Sequence, residues 1–303
     1  MNVSILSVRS GWHTDELLRA LSARGHVGVV VPYEGLIARI GGPEGPQLRT
    51  EGLPLFEADA VLARIIPSGS LEQIIYRVDA LHWLEERGIP VVNSPRAIER
   101  AVDKFYTSAR LHDAGLPTVE TVVCERAADA VAAVREFGDA VIKPIFGSMG
   151  HGIVRVSDPD VAFRVAKTLE TTRAVFYVQR AVDHGGRDYR LFVIGGRVLA
   201  AIERRAAEGD WRSNVARGAA AVPFEAPAGW QELAVRAAAA IEADYAGVDL
   251  LQARDGRVFV LEVNGIPGWE GLQRATGVDV AGAIVQHVEA RVRVGARGAS
   301  RPA

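Results

Sequence analysis

An α/β fold with an α+β second half is predicted by three features of this sequence. Residues 1–95 alternate apolar strands with amphipathic helices, and residues 96–173 continue strand and helix around a glycine-rich loop. From residue 174 onward, strands follow one another, several through short glycine turns. Alternation of strand and helix predicts a parallel sheet with both faces covered, whereas strands joined by tight turns predict antiparallel pairing.

The elements follow in order. Residues 2–8 read as a strand, 14–24 as an amphipathic helix stopped by Gly25, and 27–32 as a second apolar strand. A strand at 60–66, a helix at 71–87 stopped by Gly88 and a strand at 89–93 repeat the alternation, and Asn93-Ser94-Pro95 marks a break. A helix at 104–114, strands at 118–123 and 140–144 around a helix at 127–137, a strand at 153–156 and a helix at 159–171 come next. Strands at 175–179, 189–194, 198–203, 248–253 and 258–263 and helices at 230–243 and 280–292 complete the chain, and the small, basic segment 293–303 reads as a frayed tail.

Length and composition set outer limits. The 303 residues allow two to three modest domains, each burying its own core. A formal net charge of −2 gives no global pull toward nucleic acid or a membrane surface. No apolar run approaches the roughly 18 residues of a membrane span, and residues 1–8 do not form a secretion signal. The single cysteine, Cys124, cannot form an internal disulfide and reads as a small buried hydrophobe. The expected location is the cytosol.

The sharpest chemical signal runs from Gly247 to Asn264. Asp255-Gly256 between two β-rich runs is a two-residue hairpin turn. Counting from it, Arg254 faces Arg257 and Asp249 lies opposite Glu262, with Asn264 on the same face as Glu262. Two facing carboxylates among Leu250, Leu251, Val260, Leu261 and Val263 should repel and lose hydration. A divalent cation would relieve that conflict, and an oxygen-only donor set suits Mg²⁺. The bland alternative is an edge hairpin with solvated acids.

Two further stretches carry charge. Lys143 ends a strand and is followed by Gly147, Gly150 and Gly152, whose bare backbone could approach phosphate oxygens. The stretch matches neither the P-loop nor the dinucleotide pattern, and alone it would be a mere turn. Beside a cationic strand end it suits a lid over a nucleotide. Lys104, taken alone, is a solvated helix charge. Arg204, Arg205 and Arg212 gather near one strand and the loop leaving it, and a solvated basic face is the plain reading there.

Together these segments resemble the ATP-grasp superfamily, and specifically its RimK-like α-L-glutamate ligases, over residues 90–290. The resemblance rests on the run 200–214 with Glu203-Arg204-Arg205 and Arg212-Ser213-Asn214, on Arg217-Gly218, on Ala246-Gly247-Val248-Asp249, on Leu261-Glu262-Val263-Asn264-Gly265 and on Thr276-Gly277-Val278-Asp279. It implies a pre-ATP-grasp domain at 1–95, a central subdomain with the lid at 96–173, a metal-bearing subdomain at 174–292 and the tail at 293–303. ATP would lie between the last two.

The same resemblance implies roles. Lys104 and Lys143 would contact the phosphates under the lid formed by Gly147, Ser148, Gly150 and Gly152. Gln179, Arg180 and Ala181 would run beside the adenine, Asp188 near the ribose, and Arg212, Ser213 and Asn214 along the phosphates. Asp249, Glu262 and Asn264 match metal ligands for two Mg²⁺ ions, with Mn²⁺ able to substitute. Arg190 and Arg205 are candidates for holding the transferred phosphoryl group and the acyl phosphate. One departure stands out: the family commonly carries Gln-Glu on the adenine strand, and here it is Gln179-Arg180, which leaves adenine to the backbone of Arg180 and Ala181. The segment from Pro267 to Gly277 is similar to members that glutamylate pterin-type coenzymes. The implied partners are an amino acid, glutamate, and a carboxylate acceptor, taken either from a small coenzyme or from a protein or peptide terminus, with the enzyme a dimer or tetramer. The alternative outside the enzyme class is a nucleotide-binding regulator without catalysis, against which the intact carboxylate pair Asp249 and Glu262 speaks. The loops Arg9–His13 and Pro67–Ser70 are expected to face the acceptor, with His13 either there or simply exposed.

Overall fold

The computed structural model describes residues 1–147, 152–206 and 220–299. The N-terminal part contains β1 (Asn2–Ser7), α1 (Trp12–Ala23), β2 (Val27–Pro32), β3 (Leu36–Arg39), β4 (Gln47–Thr50), β5 (Leu53–Pro54), β6 (Ala60–Ala63), α2 (Leu71–Glu86) and β7 (Val91–Val92). Four of these strands form a parallel sheet in the order β2-β1-β6-β7, and β3, β4 and β5 form a small antiparallel sheet beside it. The chain leaves β1 toward β2 on one side and reaches β6 on the other, so strand order reverses between β1 and β6. That reversal opens a crevice at the carboxyl ends of the two strands.

Local chemistry explains the helix starts. The Thr14 hydroxyl both accepts from the Gly11 N–H and donates to the Gly11 carbonyl, at 2.7 Å each, opening α1. Ser70 and Gln73 form a reciprocal capping box at α2. The expected break at 93–95 is instead the start of α3 (Pro95–Val102): Ser94 caps the Ala97 N–H and Pro95 occupies the first helical position. Ser-Pro punctuates a chain and also begins helices, and only the following residues decide which.

The second sheet runs β10-β9-β11-β8, all antiparallel, built from β8 (Thr121–Cys124), β9 (Ala140–Pro144), β10 (Val154–Val156) and β11 (Phe176–Arg180). Helices α5 (Ala127–Phe137) and α6 (Pro159–Glu170) cover its apolar face through Ile142, Phe176 and Val178, while α4 (Lys104–Asp113) precedes it. Its other face carries Lys143, Tyr177 and Gln179. Cys124 is only half-buried at this sheet's margin, less enclosed than expected.

The third sheet is five-stranded, in the order β14-β13-β12-β15-β16, with β12 (Arg187–Ile194), β13 (Arg197–Arg205), β14 (Ala220–Pro223), β15 (Tyr245–Gln252) and β16 (Val258–Asn264). Helix α7 (Ala228–Ala240) covers one face through Leu191, Val193, Val248 and Leu250. The opposite face is divided. Phe192, Ile194, Ile202 and Tyr245 join Val3, Ile5, Leu17 and Leu62 of the N-terminal part in one core, sealed by α8 (Glu270–Thr276) and α9 (Val280–Ala299). One face of the N-terminal sheet buries a core of its own, through Leu6, Val31, Leu48, Val61 and Leu84, while its other face is closed by α9, from the far end of the chain. Helix α9 also continues past Val292 to Ala299, where a frayed tail was expected. The small sheet, β14 and α8 were not anticipated; each is short, and the hairpin of β3 and β4 brackets the turn residues Gly41-Gly42-Pro43.

Candidate active site

The other half of that divided face is charged. Arg190 pairs with Asp249 across β12 and β15, and Asp188 pairs with Arg204 across β12 and β13, so all four side chains share one face. Arg190 grips Asp249 in a fork, Nε to Oδ1 and Nη2 to Oδ2, both at 2.7 Å. Arg204 holds Asp188 at 2.5 and 2.8 Å and reaches Asp249 Oδ2 at 2.9 Å. Burial alone would push the Asp249 carboxyl up, but Arg190 and Arg204 reverse this and hold it at about 2. Burial also opposes the Arg204 charge, and the two carboxylates restore it, so its guanidinium is more basic than usual.

Asp249 does lie opposite Glu262, but by a different route from the one counted. The hairpin closes on Ala253 and Arg257, not Arg254 and Arg257, with Gly256 left-handed at φ 88°. That three-residue turn alone would misalign the pair by one. Leu261 then bulges out of β16 and restores it. The expected repulsion is relieved here by guanidinium groups: both Asp249 oxygens are engaged by arginine.

Glu262 is half-buried, and its charge acts on Lys143 of β9 and on Lys104 at the start of α4. Burial drives the Lys143 ammonium down to about 8, with Glu262 opposing the fall. Lys143 Nζ donates to Gln179 Oε1 at 2.7 Å and sits 5.9 Å from the Tyr177 ring. Lys104, also lowered by burial, donates to the Gly147 carbonyl at 2.7 Å and so ties α4 to the start of the glycine loop. Asn264 lies across from Gly247, and its Oδ1 accepts the Ile266 N–H at 3.0 Å. The donor set of Asp249, Glu262 and Asn264 is all oxygen, with two opposed carboxylates on neighbouring strands, and fits a hard divalent cation once an Asp249 oxygen is released from arginine.

Arg205 lies on the opposite face from Arg190 and Asp249: it pairs with Arg187 and is bound to Glu203, Nε to Oε1 at 2.8 Å. Leu199, a bulged residue in β13, shifts the register beyond it and turns Arg204 inward instead. A plain count from the Gly195-Gly196 turn misses this, and no signal in the residue types gives it away. Asp188, expected beside a ribose, is buried against Arg204. Gln179 serves Lys143 and the Thr121 hydroxyl. The Arg180 side chain turns to Glu120 and the Phe137 carbonyl, and the N–H groups of Arg180 and Ala181 are committed to Glu120 and Asp139 carbonyls at 2.9 Å. Gly152 is left-handed at φ 72°. Ser148, Gly150, Arg212, Ser213 and Asn214 lie outside the described residues. His13 is half-buried: its Nε2 accepts the Trp269 N–H at 3.1 Å.

Residues 1–98 match the RimK PreATP-grasp domain, and residues 101–288 match the RimK-like ATP-grasp domain. The chain belongs to the RimK-like ATP-grasp family. It is accordingly a ligase, of the class that forms carbon–nitrogen bonds. Among similar proteins, the tetrahydromethanopterin:alpha-L-glutamate ligase of Methanosarcina acetivorans is 35% identical over 262 residues, 78% of this chain and 81% of that one. A probable alpha-L-glutamate ligase of Xanthomonas oryzae pv. oryzae is 37% identical over 297 residues, 97% of this chain and 99% of its own. The fold is shared with the ATP-grasp ligase PsnB complexed with minimal precursor, Mg and ADP, at a TM-score of 0.74 and 22% identity, covering 96% of this chain and 98% of that one. No helix among the described residues of this RimK-like ligase is long and apolar enough to cross a membrane.

Proposed function

We propose that this RimK-like protein is an ATP- and Mg²⁺-dependent carboxylate–amine ligase that adds L-glutamate to a small pterin-type coenzyme, tetrahydromethanopterin-like or related, through an acyl phosphate. The observation that carries the reading is the convergence of Lys104 and Lys143, from one sheet and the helix before it, on Glu262 of the other. The relative of known acceptor supports the substrate class, and the PsnB complex supports ADP and Mg as ligands of the shared fold.

Asp249, Glu262 and Asn264 would hold Mg²⁺, which supplies Lewis-acid charge at the phosphates. The two lysines offset charge on the β- and γ-phosphates of ATP, and the glycine loop that follows Gly147, the residue whose carbonyl Lys104 holds, would shield them from water. The acceptor carboxylate attacks the γ-phosphorus, forming the acyl phosphate and releasing ADP. The amine of glutamate then attacks the acyl carbon, expels phosphate and gives up a proton to solvent. Arg190, held in orientation by Asp249, faces the oxyanion of that step. No side-chain nucleophile is required.

A second acceptor class is a peptide terminus, favoured by the precursor peptides bound in structures of the same fold. One experiment tests both: phosphate release with ATP, Mg²⁺ and L-glutamate across a panel of pterin-linked and peptide carboxylates, with product masses measured. A single added glutamyl mass on a pterin acceptor is expected. Phosphate release with no acceptor in either class would sink the reading.

A further inference from the structure

We propose that Arg64 is the seat of a substrate carboxylate, a second anchoring point beside the phosphate-handling face; the proposal rests on the ligase reading above. Arg64 follows β6 and is only 3% exposed. Its Nη1 donates to the Tyr245 hydroxyl and its Nη2 to the Pro267 carbonyl, both at 3.2 Å, and its guanidinium lies 4.6 Å from the Trp269 ring centre. All three partners are neutral, and among the described residues no carboxylate forms an ion pair with it. A buried guanidinium without a counter-charge is strongly disfavoured, so an anion is the missing component.

The surroundings point the same way. Trp269 is fully buried, and its indole N–H has no acceptor among the described residues. The Tyr245 hydroxyl accepts from Arg64 and so retains its own proton to donate. His13, in the first turn of the twelve-residue α1, packs 4.7 Å from Trp269, and burial followed by the Arg64 charge lowers its pKa to about 4. Two donors, the Trp269 indole N–H and the Tyr245 O–H, therefore meet Arg64 at the crevice between β1 and β6, where α/β sheets of this kind receive ligands.

The seat adjoins the chemistry. Tyr245, Gly247 and Asp249 alternate on one face of β15. A Cβ on Gly247 would lie 3.1 Å from Pro267 Cβ and 3.5 Å from Arg190 Nε, so the loop that Arg64 grips and the Arg190 side chain both close on Gly247. A dicarboxylate anchored on Arg64 by one carboxylate thus extends its other end toward Arg190 and Asp249. Either substrate can supply that carboxylate: the side chain of the incoming glutamate or a second acid group of the acceptor.

The test uses wild type, Arg64→Met and Arg64→Lys, the last keeping the charge and losing the fork. L-glutamate, L-glutamine and glutarate are titrated into each protein loaded with ADP and Mg²⁺, and KM is measured for the acceptor that turns over. The expected result is L-glutamate weakened about 30-fold or more in Arg64→Met, L-glutamine by less than about threefold, and ADP unchanged. Unchanged glutamate with a matching rise in acceptor KM assigns the seat to the acceptor and equally supports the proposal. Equal weakening of every ligand, or wild-type affinities in Arg64→Lys, would reduce Arg64 to a structural staple and overturn it. Should Arg64→Met fail to fold, Arg64→Lys alone decides. Wild-type protein that ignores glutamate but binds glutarate through Arg64 would sink the glutamate reading while keeping the seat.

Discussion

Arg190 and Asp249 face each other across neighbouring strands and share two hydrogen bonds of 2.7 Å, with Arg204 closing on Asp249 at 2.9 Å from the next strand. This fork makes the carboxylate of Asp249 the electrostatic centre of a three-strand network, and the behaviour of several variants follows from it.

Arg204→Met leaves Asp188 and Asp249 buried with one fewer counter-charge. Breaking such a buried pair costs about 3–5 kcal/mol, read as a lower denaturant midpoint at unchanged slope. Arg205→Met, on the exposed side, should melt like wild type and retain turnover. Equal damage from the two variants would contradict the register described here.

Gly247→Ala places a methyl group 3.1 Å from Pro267 Cβ and beside the Arg190 side chain. The fold should survive, but displacement of Arg190 by a fraction of an ångström should lower kcat by roughly 10- to 100-fold with little change in nucleotide affinity. Steady-state kinetics beside ADP titration checks this.

Lys143 has its pKa lowered by burial to about 8, below its unfolded value of 10.5. The unfolded chain therefore binds the extra proton between these limits, and stability rises with pH there. The cost of burying the charge is fully present below pH 8 and relieved toward 10.5, roughly 3 kcal/mol in all. Lys143→Met should lack that gain in denaturation across pH 7.5–10.5. Nucleotide phosphates need the charged ammonium, so affinity for ADP should fall over the same range in wild type only.

Glu262→Gln removes one charge from the proposed cation site and the group that supports the Lys143 ammonium. Because outer-shell partners of metals already cost 10–100-fold, a direct ligand should cost at least about 100-fold in Mg²⁺-dependent turnover. Raising Mg²⁺ should recover part of it. A variant with an unshifted Mg²⁺ dependence would remove Glu262 from the ligand set.

What residue order alone determined was local. Strand and helix positions such as β2, α5 and β9 follow from periodicity and stop signals over a few residues. The choice between Arg204 and Arg205 was not local, because one bulged residue, Leu199, inverts the alternation, and bulges are set by how strands twist against their neighbours. The Asp249–Glu262 pairing survived only because a longer turn and the Leu261 bulge offset one another. Closure of the N-terminal sheet by α9, and the meeting of Arg64, Tyr245 and Trp269, join residues some 180 to 290 positions apart. No pattern within a short window encodes such contacts; they exist because apolar faces left open by each part must be covered by another.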